Sequence, residues 1–195
     1  GVTGTVFALG ATTSGDLVVG GGFANADGLN VNSIARWDGD SWSPLGSGLS
    51  SGAGTLAALP DGTVVLGGGF RSAGELILNG VAHWDGSRLT PLGLGFGWNG
   101  SVHSVVVMPN GDFVAGGAGR VARWDGSRWT PLGAGVSEIT STVYSLVVMP
   151  NGDIVAGGSF STIDNVTVNN IARWNGSSWS PLGSGTSGVV LALAV

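Results

Sequence analysis

One phrase, close to IARWDGDSWSPLGSG, occurs four times in this chain, and that recurrence restricts the fold more than any single residue. The copies span Ile34–Gly48, Val81–Gly95, Val121–Gly135 and Ile171–Gly185. The tryptophan before each turn stands at Trp37, Trp84, Trp124 and Trp174, so the steps are 47, 40 and 50 residues. Self-similarity at this period means stacked or radial units, none of which buries its apolar surface alone. Residues that bind a ligand are then expected where the copies differ.

The fourth copy shows the unit most plainly. Val143–Met149 is a β-branched, apolar run ending at the turn Pro150-Asn151-Gly152-Asp153. Ile154-Val155-Ala156 makes a second strand that reaches Gly157-Gly158 and Phe160. After a polar loop, Asn170–Trp174 reads as a third strand, and Asn175-Gly176 turns the chain into a fourth over Trp179–Leu182. Four short antiparallel strands in about 45 residues form a propeller blade. Glycine and proline punctuate the chain too often for helix. The expected fold is all-β, a propeller of four-stranded blades in one array over residues 1–195, with blades at about 4–49, 53–96, 101–136 and 142–186. The inner strand recurs a fifth time at Val189–Val195, which predicts an extra inner strand over 188–195. Two arrangements fit an open array of this kind: a piece of a longer propeller of about six to eight blades, or two copies completing one ring as a homodimer. The first is the expectation.

Glycine pairs close each second strand, at Gly20-Gly21-Gly22, Gly67-Gly68-Gly69, Gly116-Gly117 and Gly157-Gly158, and aromatic residues follow around the next hairpin. In this the chain resembles Kelch-type propeller repeats. The wording of the ARWDG, W and LGSG segments is more similar to the Kelch-like repeats of fungal cortical polarity-marker proteins and secreted bacterial surface propellers. The resemblance covers essentially the whole chain and implies a scaffold or partner-binding platform. Kelch repeats usually carry Tyr before the turn, where this chain has Trp.

Composition narrows the function classes. The net charge is −5, the seven basic residues are all Arg, and none are clustered. Binding to nucleic acid or an anionic membrane surface needs a cluster of cations, so neither is expected. No run of about 18 apolar residues spans a membrane. The absence of cysteine excludes disulfides, thiolate catalysis and cysteine-type zinc sites. Abundant glycine with few charges associates with extracellular or cell-surface proteins.

Comparison of the copies gives the candidate residues. Asp16, Asp112 and Asp153 open their second strands, and Arg36, Arg123 and Arg173 end their third strands. Neighbouring antiparallel strands bring those positions together, so structural Asp–Arg pairs are expected in three blades. The second copy carries Thr63 and His83 there, and no pair is expected. The loops between second and third strands vary most, over Ala24–Ser33, Arg71–Gly80 and Ser161–Asn170, and the third copy lacks this loop. Variable loops on a rigid scaffold carry recognition. The candidate binding residues are Asn25, Asp27, Asn30, Asn32, Arg71, Glu75, Asp164 and Asn165, with Trp98 outside the repeat pattern. Asp27, Asn30 and Asn32, or Asp164, Asn165 and Asn169, offer oxygen atoms that calcium could use, but neither set matches a calcium-loop pattern. No metal, no cofactor and no catalytic residue is expected, since His83 and His103 have no nucleophile–base set around them. The leading function is therefore a non-enzymatic extracellular or surface scaffold for a protein partner. The alternatives are a lectin-like propeller using Trp98 and a fragment of a propeller enzyme whose catalytic residues lie elsewhere.

Overall fold

The computed structural model describes residues 1–96, 101–136 and 141–195. Its backbone divides into two compact units, Gly1–Val102 and His103–Val195. The first sheet holds β1 (Val2–Ala11), β2 (Leu17–Ala26), β3 (Leu29–Asn30), β4 (Ile34–Trp37) and β5 (Trp42–Pro44). Its order is β1-β2-β4-β5, with β3 paired to the far end of β2. The second sheet runs β6 (Ala53–Ala58), β7 (Val64–Gly68), β10 (Val81–Trp84) and β11 (Leu89–Pro91), while β8 (Ser72–Ala73) and β9 (Leu76–Ile77) form a separate small hairpin. The third sheet has β12 (Val102–Val107), β13 (Phe113–Gly117), β14 (Arg120–Trp124) and β15 (Trp129–Pro131) in chain order. The fourth has β16 (Thr142–Val148), β17 (Ile154–Ser159), β20 (Ile171–Trp174) and β21 (Trp179–Pro181), with β18 (Thr162–Ile163) and β19 (Val166–Thr167) as its small hairpin. Every sheet is thus an up-and-down meander, and each is one blade.

Local chemistry sets the turns. The first hairpin of the fourth blade closes with Met149 N donating to Asp153 O at 2.8 Å and Gly152 N donating to Met149 O at 2.8 Å. That is a tight turn followed by a left-handed residue, and Gly152 takes it with φ 86°. The Trp-Asp-Gly turns are held by a side chain. Asp85 Oδ1 accepts from Ser87 N and Arg88 N, both at 2.9 Å. Asp38, Asp125 and Asn175 do the same in their own blades. These hydrogen bonds hold the Asp85 and Asp125 carboxyls well below the usual carboxylate range, so the turn residues are aspartates for backbone reasons.

Each unit has its own core. In the first, Val18, Ile34 and Leu45 of the first blade pack with Leu66, Phe70 and Leu78 of the second. In the second, Val114, Val121 and Leu132 of the third blade pack with Phe160, Ile163 and Trp179 of the fourth. Fully burying one such side chain contributes about 1.5–3 kcal/mol. Both faces of a blade are used this way, which is why β7 and β13 are buried at every residue instead of alternating.

Glycine lets adjacent blades approach. A Cβ on Gly116 would lie 2.8 Å from Val143 Cγ1 of the next inner strand. One on Gly20 would lie 2.8 Å from Ala53 Cβ, and one on Gly157 would lie 2.5 Å from Val190 Cγ1. The segment 188–195 therefore lies where the sequence places an inner strand. It does not form one: no ladder is made by Val189–Val195. Val190 N donates to Gly158 O and Leu193 N to Ser145 Oγ, each at 3.0 Å, and no second strand of its own sheet stands beside it to complete the pairing.

The Trp pairs are cross-strand neighbours. Trp37–Trp42, Trp124–Trp129 and Trp174–Trp179 have ring centroids 5.3–5.4 Å apart and tilted by 50–54°. The buried Trp179 also donates its indole Nε1–H to Leu132 O of the preceding blade at 2.7 Å. Trp179→Phe keeps the ring and removes the donor, leaving that carbonyl unsatisfied. The expected loss is about 1–3 kcal/mol in a denaturant melt. A loss within error of zero would mean that this bond does not hold the third and fourth blades together.

Candidate functional site

The variable segments between second and third strands fold as hairpins rather than irregular loops. Asn25 pairs with Asn30 and Ala26 with Leu29 around Asp27-Gly28. Ser72 pairs with Ile77 and Ala73 with Leu76 around Gly74-Glu75. Thr162 pairs with Thr167 and Ile163 with Val166 around Asp164-Asn165. Two-residue turns of this sort need left-handed residues: Asp27 and Asp164 both have φ 51°, and Gly74 has φ 57°. The sequence signal was present in Asp-Gly and Asp-Asn, but the flanking strands are only two residues long.

A shared frame holds the hairpins. Asn32, Asn79 and Asn169 all adopt positive φ. Their amides donate to Ser47 O at 3.1 Å, Leu94 O at 3.0 Å and Ser184 O at 2.9 Å, one carbonyl in each Leu-Gly-x-Gly turn. The backbone returns the contact, with Leu49 N, Phe96 N and Thr186 N donating to the Asn carbonyls at 2.7–3.0 Å. Asn32 is thereby a frame residue, with its amide nitrogen committed. In the fourth blade Asp164 Oδ1 accepts from Ala134 N at 2.8 Å, so this hairpin docks on the turn of the blade before it. In the first blade Asp27 Oδ1 receives the Gly1 ammonium at 2.9 Å. Both carboxylates of the oxygen-rich sets are engaged by the protein itself.

The hairpin tips are exposed. Asp27, Asn30 and Glu75 face solvent, as do the apolar side chains of Leu29, Leu76 and Ile77. Arg71 is exposed and anchored through its backbone, its N–H donating to Ser50 Oγ at 3.0 Å. In the second unit Asn165 is exposed beside half-buried Asp164. Trp98 lies outside the described residues.

The Asp and Arg positions meet as structural pairs on the other end of the ladders. Arg36 donates to Asp16 Oδ2 through Nε at 3.0 Å and Nη2 at 2.7 Å. Arg123 and Arg173 donate through Nε at 2.6 Å to Asp112 and Asp153, and each adds a second contact from Nη2. Ser14 Oγ–H, then Arg36, holds the Asp16 carboxyl below its ordinary value against the opposing effect of burial.

The second blade uses a relay that the sequence reading missed. Thr63 Oγ–H donates to Asp61 Oδ1 at 2.7 Å, and the Thr63 oxygen lies 2.8 Å from His83 Nε2. A hydroxyl has one proton, so His83 must donate, and a hydroxyl joins ring and carboxylate. The carboxylate has moved two residues, to the position of Ser14, Asn110 and Asn151. That displacement was the signal available.

His103 and Tyr144 occupy matching positions of β12 and β16 and meet edge to face with centroids 5.4 Å apart. Burial pushes the His103 imidazole below its usual value, which favours the neutral ring. Among the described residues no group of three or more His, Cys, Asp or Glu side chains could hold a metal.

Repeated four-stranded meanders packed face to face define a β-propeller repeat protein. Residues 150–178 match a family model described as a domain of unknown function (DUF5122) β-propeller. No curated protein matches the chain in sequence. Among solved structures it is similar to the extracellular domain of a hybrid two-component system from B. thetaiotaomicron, at 13% identity and TM-score 0.63, over 96% of this chain and 24% of that one. It is similar to virginiamycin B lyase from Staphylococcus aureus, at 15% identity and TM-score 0.62, over 93% and 57%. It is also similar to YCF48 from Cyanidioschyzon merolae, at 15% identity and TM-score 0.59, over 98% and 60%. The chain thus spans about a quarter of the sensor domain and under two thirds of the other two. Identities this low carry the fold alone. No helix is long and apolar enough to cross a membrane.

Proposed function

We propose that this propeller is a non-enzymatic, extracellular scaffold, related to Kelch-like repeat proteins, that holds a protein partner on its second-to-third-strand hairpins. The observation that carries this reading is the contrast between the frame and the tips. The frame is the same in three blades, with a left-handed Asn clamped to a Leu-Gly-x-Gly turn. The tips differ, and they hold Leu29, Leu76 and Ile77 in solvent at 46%, 36% and 67% exposure. Apolar side chains fixed on rigid turns, with Asp27, Asn30 and Glu75 alongside, suit the mixed surface of a protein–protein contact. The glycine-rich, weakly charged composition and the similarity to extracellular sensor domains support the location. A structure of YCF48 with a bound D1 peptide supports the class of ligand.

The test selects peptides from a random display library on the immobilised chain and measures their binding to a Leu76→Asp/Ile77→Asp variant. Selected peptides are expected to lose the variant while its circular dichroism stays that of the parent. Equal binding to both proteins would move the site away from the second-blade hairpin.

A further inference from the structure

One face of the first blade lies open. A groove of about 630 Å³ runs between Val6, Leu9, Leu17, Val19, Trp37 and Trp42. Three of these side chains, Val6, Leu9 and Leu17, are 39%, 62% and 37% exposed. The repeat says what such a face receives. In the second blade the counterparts of Leu17, Trp37 and Trp42 are Val64, Trp84 and Leu89, all buried in the core formed with Ile34 and Leu45 of the first blade. In the fourth blade they are Ile154, Trp174 and Trp179, packed in the core that holds Val121 and Leu132 of the third.

The matching covering face occurs once more. Ile171 and Leu182 are the counterparts of Ile34 and Leu45, yet Leu182 is 39% exposed where Leu45 is fully buried. Residues 185–195 cover the inner part of this face, and they repeat residues 1–11 in register. Gly185, Gly188, Val190, Ala192 and Leu193 match Gly1, Gly4, Val6, Ala8 and Leu9. The first segment is tied into its blade by the full β1–β2 ladder. The last makes no ladder.

We propose that the open face of the first blade seats the fourth blade of a second copy of this chain, head to tail. Residues 1–11 of one copy take the slot held by residues 185–195 of the other, and Ile171 and Leu182 fill the groove. Trp42 then donates its indole N–H to Leu182 O, as Trp179 does to Leu132 O. Two different faces meet in this contact, so each copy retains one face of each kind for the next.

Light scattering across a concentration series tests the proposal. The full chain is expected to reach masses that are multiples of 19.3 kDa, and a single-chain mass at every concentration would overturn it. Leu17→Asp and Leu182→Asp place a carboxylate in the contact and each should weaken association on the order of a hundredfold. Both positions are solvent-accessible in the single chain, so the variants fold. An equal mixture of the two variants should recover a two-chain species, because each supplies the face the other has lost. Two folded variants that stay apart when mixed would overturn the contact. Val190→Asp with Leu193→Asp should loosen the last segment and tighten association. Weaker association in that variant would show that the segment is part of the contact rather than its competitor.

Discussion

Gly158→Ala should be among the most damaging single-methyl additions in this chain, with an expected loss of about 3 kcal/mol, the upper end for overpacking. The methyl would be driven into the carbonyl oxygen of Thr142 on the paired strand, with Phe160 Cε1 2.9 Å away. A flexible side chain could move aside, but a ladder carbonyl cannot move without opening β16–β17. Gly21 and Gly68 face Thr5 O and Gly52 O in the same way, so the constraint belongs to the repeat. The melting temperature should fall by roughly 6–12 °C for a chain of this size. A drop under about 2 °C would mean that the strand pair has slack. Gly111→Ala is the useful contrast, since nothing lies within 4 Å of a Cβ there and only its φ of 87° resists the change.

A double-mutant cycle on Asp153 and Arg173 should show the second large effect. The Asp153 side chain is 10% exposed and that of Arg173 is 47% exposed, so the pair is neither buried nor free. Asp153→Ala removes the acceptor of the Arg173 fork and of the Asn151 amide, which donates to Asp153 Oδ2 at 2.7 Å. Hydrogen bonds to a charged group are worth about 1.5–3 kcal/mol, and the single variant should lose that much. Arg173→Ala should lose less, because Asn151 still satisfies the carboxylate. The coupling between the two should be at least about 0.5 kcal/mol, and strictly additive losses would show that the ladder alone sets the stability.

The repeated parts of this molecule were legible in its sequence. Strands ending at Trp37, Trp84, Trp124 and Trp174 follow from a pattern written four times, and the turns carry their own chemistry in Asp-Gly and Asn-Gly. The Asp–Arg positions could be read because three copies change together against a fourth. The small hairpins were harder. Their strands of two residues are too short for any periodicity, and they form because Asn32, Asn79 and Asn169 clamp onto turns 15 residues later. The Asp61 relay was hidden for a similar reason: its carboxylate sits on a turn where the other blades place Ser or Asn. Nor does composition reveal that Leu182 is exposed where Leu45 is buried, because burial there depends on the next blade.

The third blade does without the hairpin altogether. Gly117 pairs with Arg120, and the β13–β14 ladder keeps five residue pairs with only Ala118-Gly119 between them. A blade therefore stands without this appendage, which makes the segment after each glycine pair a replaceable cassette. Its tip can be lengthened, exchanged or deleted as long as the Asn that closes it and the Gly it rests on travel together. Surface diversity can then change from copy to copy while the sheets beneath keep one pattern.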